Sequence, residues 1–165
     1  MKYVIMGVSG SGKSSVGEAL SAAMDVPYAD GDDLHPAENI ARMSAGIPLT
    51  DEDRWPWLRA VGEALRAHAG DMIIGCSALK RRYRDCIRQA AGEPVTFIHL
   101  DGPRGLIEAR MQDRRGHFMP ASLLDSQFAA LERPDADEDA VTVSIDQPVE
   151  GIVADILISL AARKG

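Results

Sequence analysis

The chain has only two cysteines, Cys76 and Cys86, and neither stands at metal-ligand spacing from a histidine. That excludes a disulfide framework and a structural zinc site, and it sets a reduced, cytoplasmic location as the expectation. No apolar run approaches the ~20 residues of a membrane-spanning helix, so no membrane role is expected. Met1-Lys2-Tyr3 leads directly into the first predicted strand, and no secretory leader is expected there. Basic charge is in deficit: 18 Lys and Arg against 25 Asp and Glu give a formal net charge of −7. Nucleic acid is therefore an unsuitable partner, because phosphate-backbone binding rests on a basic surface. Two marks of a nucleotide switch are also missing. No Lys-x-Asp occurs, so there is no guanine reader, and the one Asp-x-x-Gly, at 113–116, lies in an arginine-rich stretch. A Walker-B acid is absent from the end of the third predicted strand, which reads Ile74-Gly75-Cys76-Ser77.

What the chain does have begins at residue 7. Gly7-Val8-Ser9-Gly10-Ser11-Gly12-Lys13-Ser14 spells G-x-x-x-x-G-K-[ST] between a short apolar strand and an amphipathic helix. Such a loop converges backbone N–H groups on a phosphate chain, and its glycines permit positive φ and close approach. Lys13 supplies charge to the β- and γ-phosphates, the Ser14 hydroxyl suits Mg²⁺, and the following helix start, with Ser15, adds its partial positive charge. The chain is expected to bind a nucleoside triphosphate.

At 165 residues, 45% hydrophobic and 26% charged, it has the size and composition of one globular domain. Buried-strand patterns recur at 3–6, 26–29, 72–75, 95–100 and 141–145. Helical patterns fill 13–24, 36–45, 53–69, 79–91, 104–115, 120–132 and 149–163. The alternation predicts an α/β fold with a parallel sheet covered on both faces. The polar stretch 134–139 reads as an exposed loop. In such sheets ligands bind beyond the carboxyl ends of the strands. Chemistry is therefore sought at Asp30-Gly31-Asp32, at Cys76–Lys80, at Asp101-Gly102-Pro103 and at Asp146-Gln147-Pro148.

Asp30 and Asp32 flank a glycine opposite the phosphate loop, and two carboxylates at that spacing can divide the tasks of metal binding and proton acceptance. Half of the basic residues fall in two segments, Lys80, Arg81, Arg82, Arg84 and Arg88, then Arg104, Arg110, Arg114 and Arg115. Such clustering points the positive charge at something anionic. Arg110 and Arg114 share a helix face ahead of Gly116, as in a lid that closes on a triphosphate at about 110–120. Trp55 and Trp57 read as core anchors.

Beyond the loop, the blocks D-G-D-x-L-H-P, P-L-T-D-E-D-R-W-P-W-L, C-S-A-L-K-R-R-Y-R and R-R-G-H-F resemble the bacterial gluconokinase family, from Gly7 to about Pro148. The resemblance implies an adenylate/shikimate-kinase architecture, residues 1–165 as a single domain with strand order 2-3-1-4-5 and a helical lid. It implies ATP and Mg²⁺, with D-gluconate phosphorylated at its 6-hydroxyl, and it leaves a homodimer open. Carried onto this chain, Asp32 meets the acceptor hydroxyl, Asp30 and Ser14 lie at the metal, and Lys13, Arg110 and Arg114 assist transfer. Gln147 and Pro148 pack on adenine, while His35, Arg54, Lys80, Arg81 and Arg84 face the acceptor. A kinase of shikimate, adenylylsulfate or a nucleoside monophosphate shares the loop and lid, and a non-catalytic switch shares the loop alone.

Overall fold

The structure, a computed structural model, describes residues 1–112 and 121–164. Five strands, β1 (Lys2–Met6), β2 (Tyr28–Asp30), β3 (Met72–Gly75), β4 (Val95–Asp101) and β5 (Ala140–Ser144), form one parallel sheet in the order β2-β3-β1-β4-β5. The helices are α1 (Lys13–Met24), α2 (Ala37–Ser44), α3 (Asp51–Ala67), α4 (Arg81–Ala91), α5 (Arg104–Gln112), α6 (Ala121–Ala130) and α7 (Val149–Lys164). The expected order and strand count are both found.

β1 lies at the centre and is buried along its whole length, so its alternate residues feed two cores. Tyr3 and Ile5 face a cluster with Val16 and Leu20 of α1, Ile107 of α5 and Ile152 and Ile156 of α7. Val4 and Met6 face the other, with Trp57, Leu58 and Val61 of α3 and Tyr83 and Ile87 of α4. α3 starts at a capping box: Asp53 N–H donates to Thr50 Oγ1 at 3.2 Å, and Thr50 N–H to Asp53 Oδ2 at 2.9 Å.

Two expectations need correction. β2 spans Tyr28–Asp30 instead of 26–29, because Pro27 has no N–H for a ladder and pairing begins at Tyr28 with Ile73. The second is the polar stretch 134–139, which is not simply exposed. Glu138 is buried there, facing Arg84, whose side chain is wholly buried.

That pair is a fork on a fork. Arg84 Nε and Nη2 donate to the two Glu138 oxygens at 2.8 and 2.9 Å. Its remaining contacts are donations from Nη1 to Ala78 O and from Nη2 to Glu132 O, both at 2.9 Å. Arg88 joins from one turn later, Nη1 donating to Glu138 Oε1 at 3.1 Å while its guanidinium lies 4.6 Å from the Phe97 ring centre. Burial pushes the Glu138 carboxyl up, yet the bonds and charges of Arg84 and Arg88 outweigh it and hold it below the ordinary range.

Replacing Glu138 with Gln should leave a buried guanidinium uncompensated and destabilise the fold by about 3–5 kcal/mol, read by urea unfolding at neutral pH. Because the folded pKa lies below the unfolded one, this stability is fully present above the unfolded value and is lost as pH falls through the folded value. Glu138→Gln should therefore flatten the acid limb of the stability profile. Equal stability of the two proteins at pH 7 would show that the pair is dispensable.

Candidate functional site

The phosphate loop joins β1 to α1 at the carboxyl edge of the central strand. Gly10 and Gly12 have φ of 81° and 98°, which only glycine adopts without strain. Gly12 caps α1 with no side-chain bond, and the first helical bond is Val16 N–H to Gly12 O at 2.9 Å. The N–H groups of Lys13, Ser14 and Ser15 are thus left without helical partners, and the dipole of α1 points into the same loop. Ser11 Oγ is buried there with no partner among the described residues. Such a cradle suits a phosphate chain. Lys13 Nζ folds over it, donating to Gly7 O at 3.0 Å and Val8 O at 3.1 Å. Burial lowers the pKa of Lys13, with Asp32, Cys76 and Asp30 opposing that shift.

Beside the loop, a cavity of about 330 Å³ is lined by Gly12, Ser15, Arg110, Gln147, Pro148 and Ile152, among others. The turn after β5 and the start of α7 therefore stand where a base would sit next to the phosphates. Arg110 donates to Ile145 O and reaches Gln147 O at 3.5 Å. It is thus anchored to the wall of this cavity. Arg114 and most of the expected lid lie outside the described residues.

On the other side of the loop, the chain leaves β2 through Asp30 into a 3₁₀ turn at Gly31–Leu34. Asp30 Oδ1 caps that turn by accepting from Asp32 N–H at 2.9 Å. Gly31 is required by contact: a Cβ there would lie 2.5 Å from Gly75 O of β3. Trp57 Nε1 donates to Gly31 O at 2.8 Å, and the Trp57 ring stacks on His35 at 3.9 Å and 17°. Partial desolvation and then the Asp30 carboxylate raise the pKa of Asp32, while Lys13 pulls it down. Cys76, buried at the end of β3, is pushed up to about 12 by burial and stays a thiol. Ser14, exposed in the first turn of α1, and Asp30 offer the hydroxyl and carboxylate oxygens that Mg²⁺ prefers, with room for water and phosphate oxygens to complete its shell.

The expected acceptor cations separate sharply. Arg84 is the plain correction: it is wholly buried and bonded to Glu138 and two carbonyls, so it is not available to a ligand. Arg81 makes a two-point bond to Asp137 at 3.1 and 2.9 Å, and Arg82 pairs with Asp51. Much of the basic cluster thus points at the chain's own carboxylates, in place of the external anion expected from its composition. Arg54 differs. It lies close enough to depress the pKa of His35, behind burial as the larger cause, and its strongest bond is to a neutral carbonyl, Leu49 O at 2.7 Å. Asp51 is 3.8 Å away, and the Tyr83 ring centre 5.4 Å. Lys80 has no carboxylate within ion-pair distance among the described residues, and its Nζ lies 5.8 Å from the Tyr83 ring centre.

Two participants escaped the sequence reading, and a third has a contact beyond the one expected of it. Gln127 of α6 clamps the phosphate loop, accepting from Ser9 N–H at 2.6 Å and donating to Ser9 Oγ at 2.8 Å. Nothing in a lone glutamine on an amphipathic helix signals this. Asn39 is buried in α2 and bonded to His35, and an isolated asparagine carries no more signal. Trp57 is a core anchor as expected, and it also holds the Gly31 carbonyl and stacks on His35.

Comparison with known proteins follows the same lines. A family model for shikimate kinase matches residues 9–147. The thermosensitive gluconokinase of Escherichia coli (strain K12) is 50% identical over 155 residues, covering 91% of this chain and 82% of that protein. The thermoresistant gluconokinase of the same organism is 47% identical over 158 residues, covering 92% and 89%. A crystal structure of a gluconokinase from Sinorhizobium meliloti 1021 superposes with a TM-score of 0.91 at 50% identity, over 98% of this chain and 91% of the other. Shikimate kinase from Aquifex aeolicus, at 18% identity and a TM-score of 0.64, shares the fold. On these similarities and on the blocks that carry them, the chain belongs to the gluconokinase family.

Proposed function

We propose that this protein transfers the γ-phosphoryl group of ATP to the 6-hydroxyl of D-gluconate, giving 6-phospho-D-gluconate and ADP. The observation that carries the reading is Asp32. It is a carboxylate with a raised pKa in the 3₁₀ turn after β2, within the field of Lys13, and its carbonyl accepts from the backbone N–H of His35. In the transfer, Asp32 takes the proton of the acceptor hydroxyl as the new P–O bond forms and the β–γ bridging oxygen leaves with ADP. Lys13 moves from its carbonyl contacts to the phosphate oxygens, where its charge opposes the negative charge of the transferring group. Ser14 and Asp30 hold Mg²⁺, which supplies charge neutralisation at the phosphates.

Gly7, Val8, Ser9, Gly10, Ser11 and Gly12 wrap the phosphates, with Lys13, Ser14 and Ser15 donating from α1. Gln147 and Pro148 hold the base end, Arg110 at the wall of the same cavity assists transfer, and the same role falls to Arg114, which lies outside the described residues. The acceptor is framed by Asp32, His35, Arg54 and Lys80, with Arg81 at the periphery. Arg54 best serves the gluconate carboxylate, because its planar fork binds a carboxylate at two points and its present bonds are mostly to uncharged oxygens. One kinase domain at 1–165 and a cytoplasmic setting complete the reading, and both cysteines being free accords with it.

Lys13→Ala should lower kcat by about 10²–10³ with the fold intact, as loss of one preorganised electrostatic contact does. Turnover near wild type, with an unchanged circular dichroism spectrum, would remove the loop from the mechanism. For the base, kcat should fall as pH drops through the raised pKa of Asp32, so the acid limb should lie above the ordinary aspartate value of ~3.9. Asp32→Asn should cut kcat far more than it raises KM for gluconate; an unchanged kcat would reduce Asp32 to a turn residue.

A coupled ADP-release assay over gluconate, glucose, shikimate, adenylylsulfate and AMP tests the acceptor. Gluconate should lead and glucose, which lacks the carboxylate, should be poorer by ~10⁴ or more. Arg54→Ala should raise KM for gluconate about tenfold or more and spare KM for ATP. A different leading acceptor would overturn the gluconate reading while leaving the kinase chemistry standing.

A further inference from the structure

Asn39 lies on α2, buried, with its side-chain nitrogen at two oxygen or nitrogen partners. Nδ2 is 2.8 Å from Asp53 O and 3.2 Å from His35 Nδ1. A backbone carbonyl only accepts, so the atom of Asn39 facing it must be the amide nitrogen and not the amide oxygen. The same nitrogen has a second hydrogen, and that hydrogen faces His35. His35 Nδ1 must therefore be a bare acceptor, because a protonated Nδ1 would meet a donor head-on. The imidazole proton is then on Nε2. Although His35 is largely buried, this atom has no hydrogen-bond partner among the described residues and is not among their fully enclosed unpartnered atoms.

The ring is also fixed in orientation. Trp57 covers one face, and the backbone N–H of His35 donates to Asp32 O at 3.3 Å, tying the residue to the turn that carries the proposed base. We propose that Asn39 fixes His35 as the neutral Nε2–H tautomer, so that His35 meets the acceptor polyol as a hydrogen-bond donor and never as a proton acceptor. Asn39 is thus a positioning residue that acts through His35. This rests on the kinase reading for its purpose, but not for its geometry.

The electrostatic surroundings agree. Burial first, and then the Arg54 cation on α3, push the His35 pKa down to about 4. On its own element Asp32 and Asp33 are the nearby acids. From α2 and α3, Arg42 and the Asp53 carboxylate engage each other at 2.8 Å beyond Asn39. The consequence for mechanism is a division of labour. A ring with Nε2 already protonated and Nδ1 occupied cannot take the hydroxyl proton, and that leaves the task to Asp32. The acceptor hydroxyls meet a donor whose state does not change across neutral pH.

The test is a ¹⁵N spectrum of the full chain, read on the two-bond couplings from ring nitrogens to ring protons, with His35→Gln assigning the signal among four histidines. His35 should show a protonated Nε2 and a bare Nδ1, unchanged from pH 5 to 8. A protonated Nδ1, or a titration near the ordinary histidine value of ~6.5, would overturn the proposal. The second arm is Asn39→Asp. A carboxylate at that place accepts from Nδ1–H, so it should stabilise the imidazolium and, once neutral, leave Nε2 bare. His35 in this variant donates from Nε2 only while charged, and KM for gluconate should rise several-fold as pH rises through the His35 titration, with KM for ATP unmoved. In the parent protein KM for gluconate should show no such step. An Asn39→Asp variant that folds and keeps the parent tautomer would also sink the idea; if that variant does not fold, the parent spectrum decides alone. The spectrum is taken without substrate, so a wrong acceptor and a wrong tautomer fail separately.

Discussion

A full positive charge at the centre of the acceptor half constrains everything built around it. Burying a guanidinium is tolerable only when its donors and its charge are met inside the protein. Arg84 achieves this by joining the turn after β3, through Ala78 O, to the 131–139 loop some fifty residues away, through Glu132 O and Glu138. The bond to Ala78 holds a residue whose φ is 44°, a conformation that non-glycine residues seldom adopt. Once that turn is held, Leu79 O accepts from Glu132 N–H at 2.7 Å, and Glu132 Oε1 accepts from Arg81 N–H at the start of α4. Lys80 and Tyr83 stand on this frame, and Tyr83 in turn is ringed by Arg54, Lys80 and Arg82. The acidity of the chain follows in part from the same demand. Asp51, Asp85, Asp137 and Glu138 all serve cations of α4.

The strands, their parallel arrangement and the phosphate loop were legible because each rests on local pattern, whereas the strand order came only with the family resemblance. Apolar runs of four to six residues, helical periodicity between them and a gapless G-x-x-x-x-G-K-S leave little room for other readings. The acceptor side was legible only as a set of candidates. Arg54, Arg81 and Arg84 are the same letter, and what distinguishes them is tertiary: one is buried against Glu138, one is paired at the surface, and one lies beside His35. The 134–139 stretch misled for the matching reason, since a polar composition cannot reveal that one of its carboxylates turns inward. Gln127 reaches Ser9 across 118 positions of sequence, and no local pattern encodes such a contact.

The two faces of the sheet divide the proposed site between them. The face covered by α1, α5, α6 and α7 carries the base cavity, the clamp on Ser9 and Arg110. The face covered by α3 and α4 carries Trp57 and Tyr83, and with them the turn of Asp32 and the cations of the acceptor side. β1 contributes alternate residues to both cores, and the phosphate loop leaves from its carboxyl end. The loop is thus tied to both halves. Gly7 N–H donates to Ser77 O on the β3 side, and Ser9 is gripped by Gln127 on the α6 side. A displacement of either half is therefore transmitted to the same few backbone N–H groups. Transfer requires the acceptor oxygen and the phosphoryl group to be aligned within a fraction of an ångström, and a loop pinned from both sides meets that demand without rigidity in either half alone.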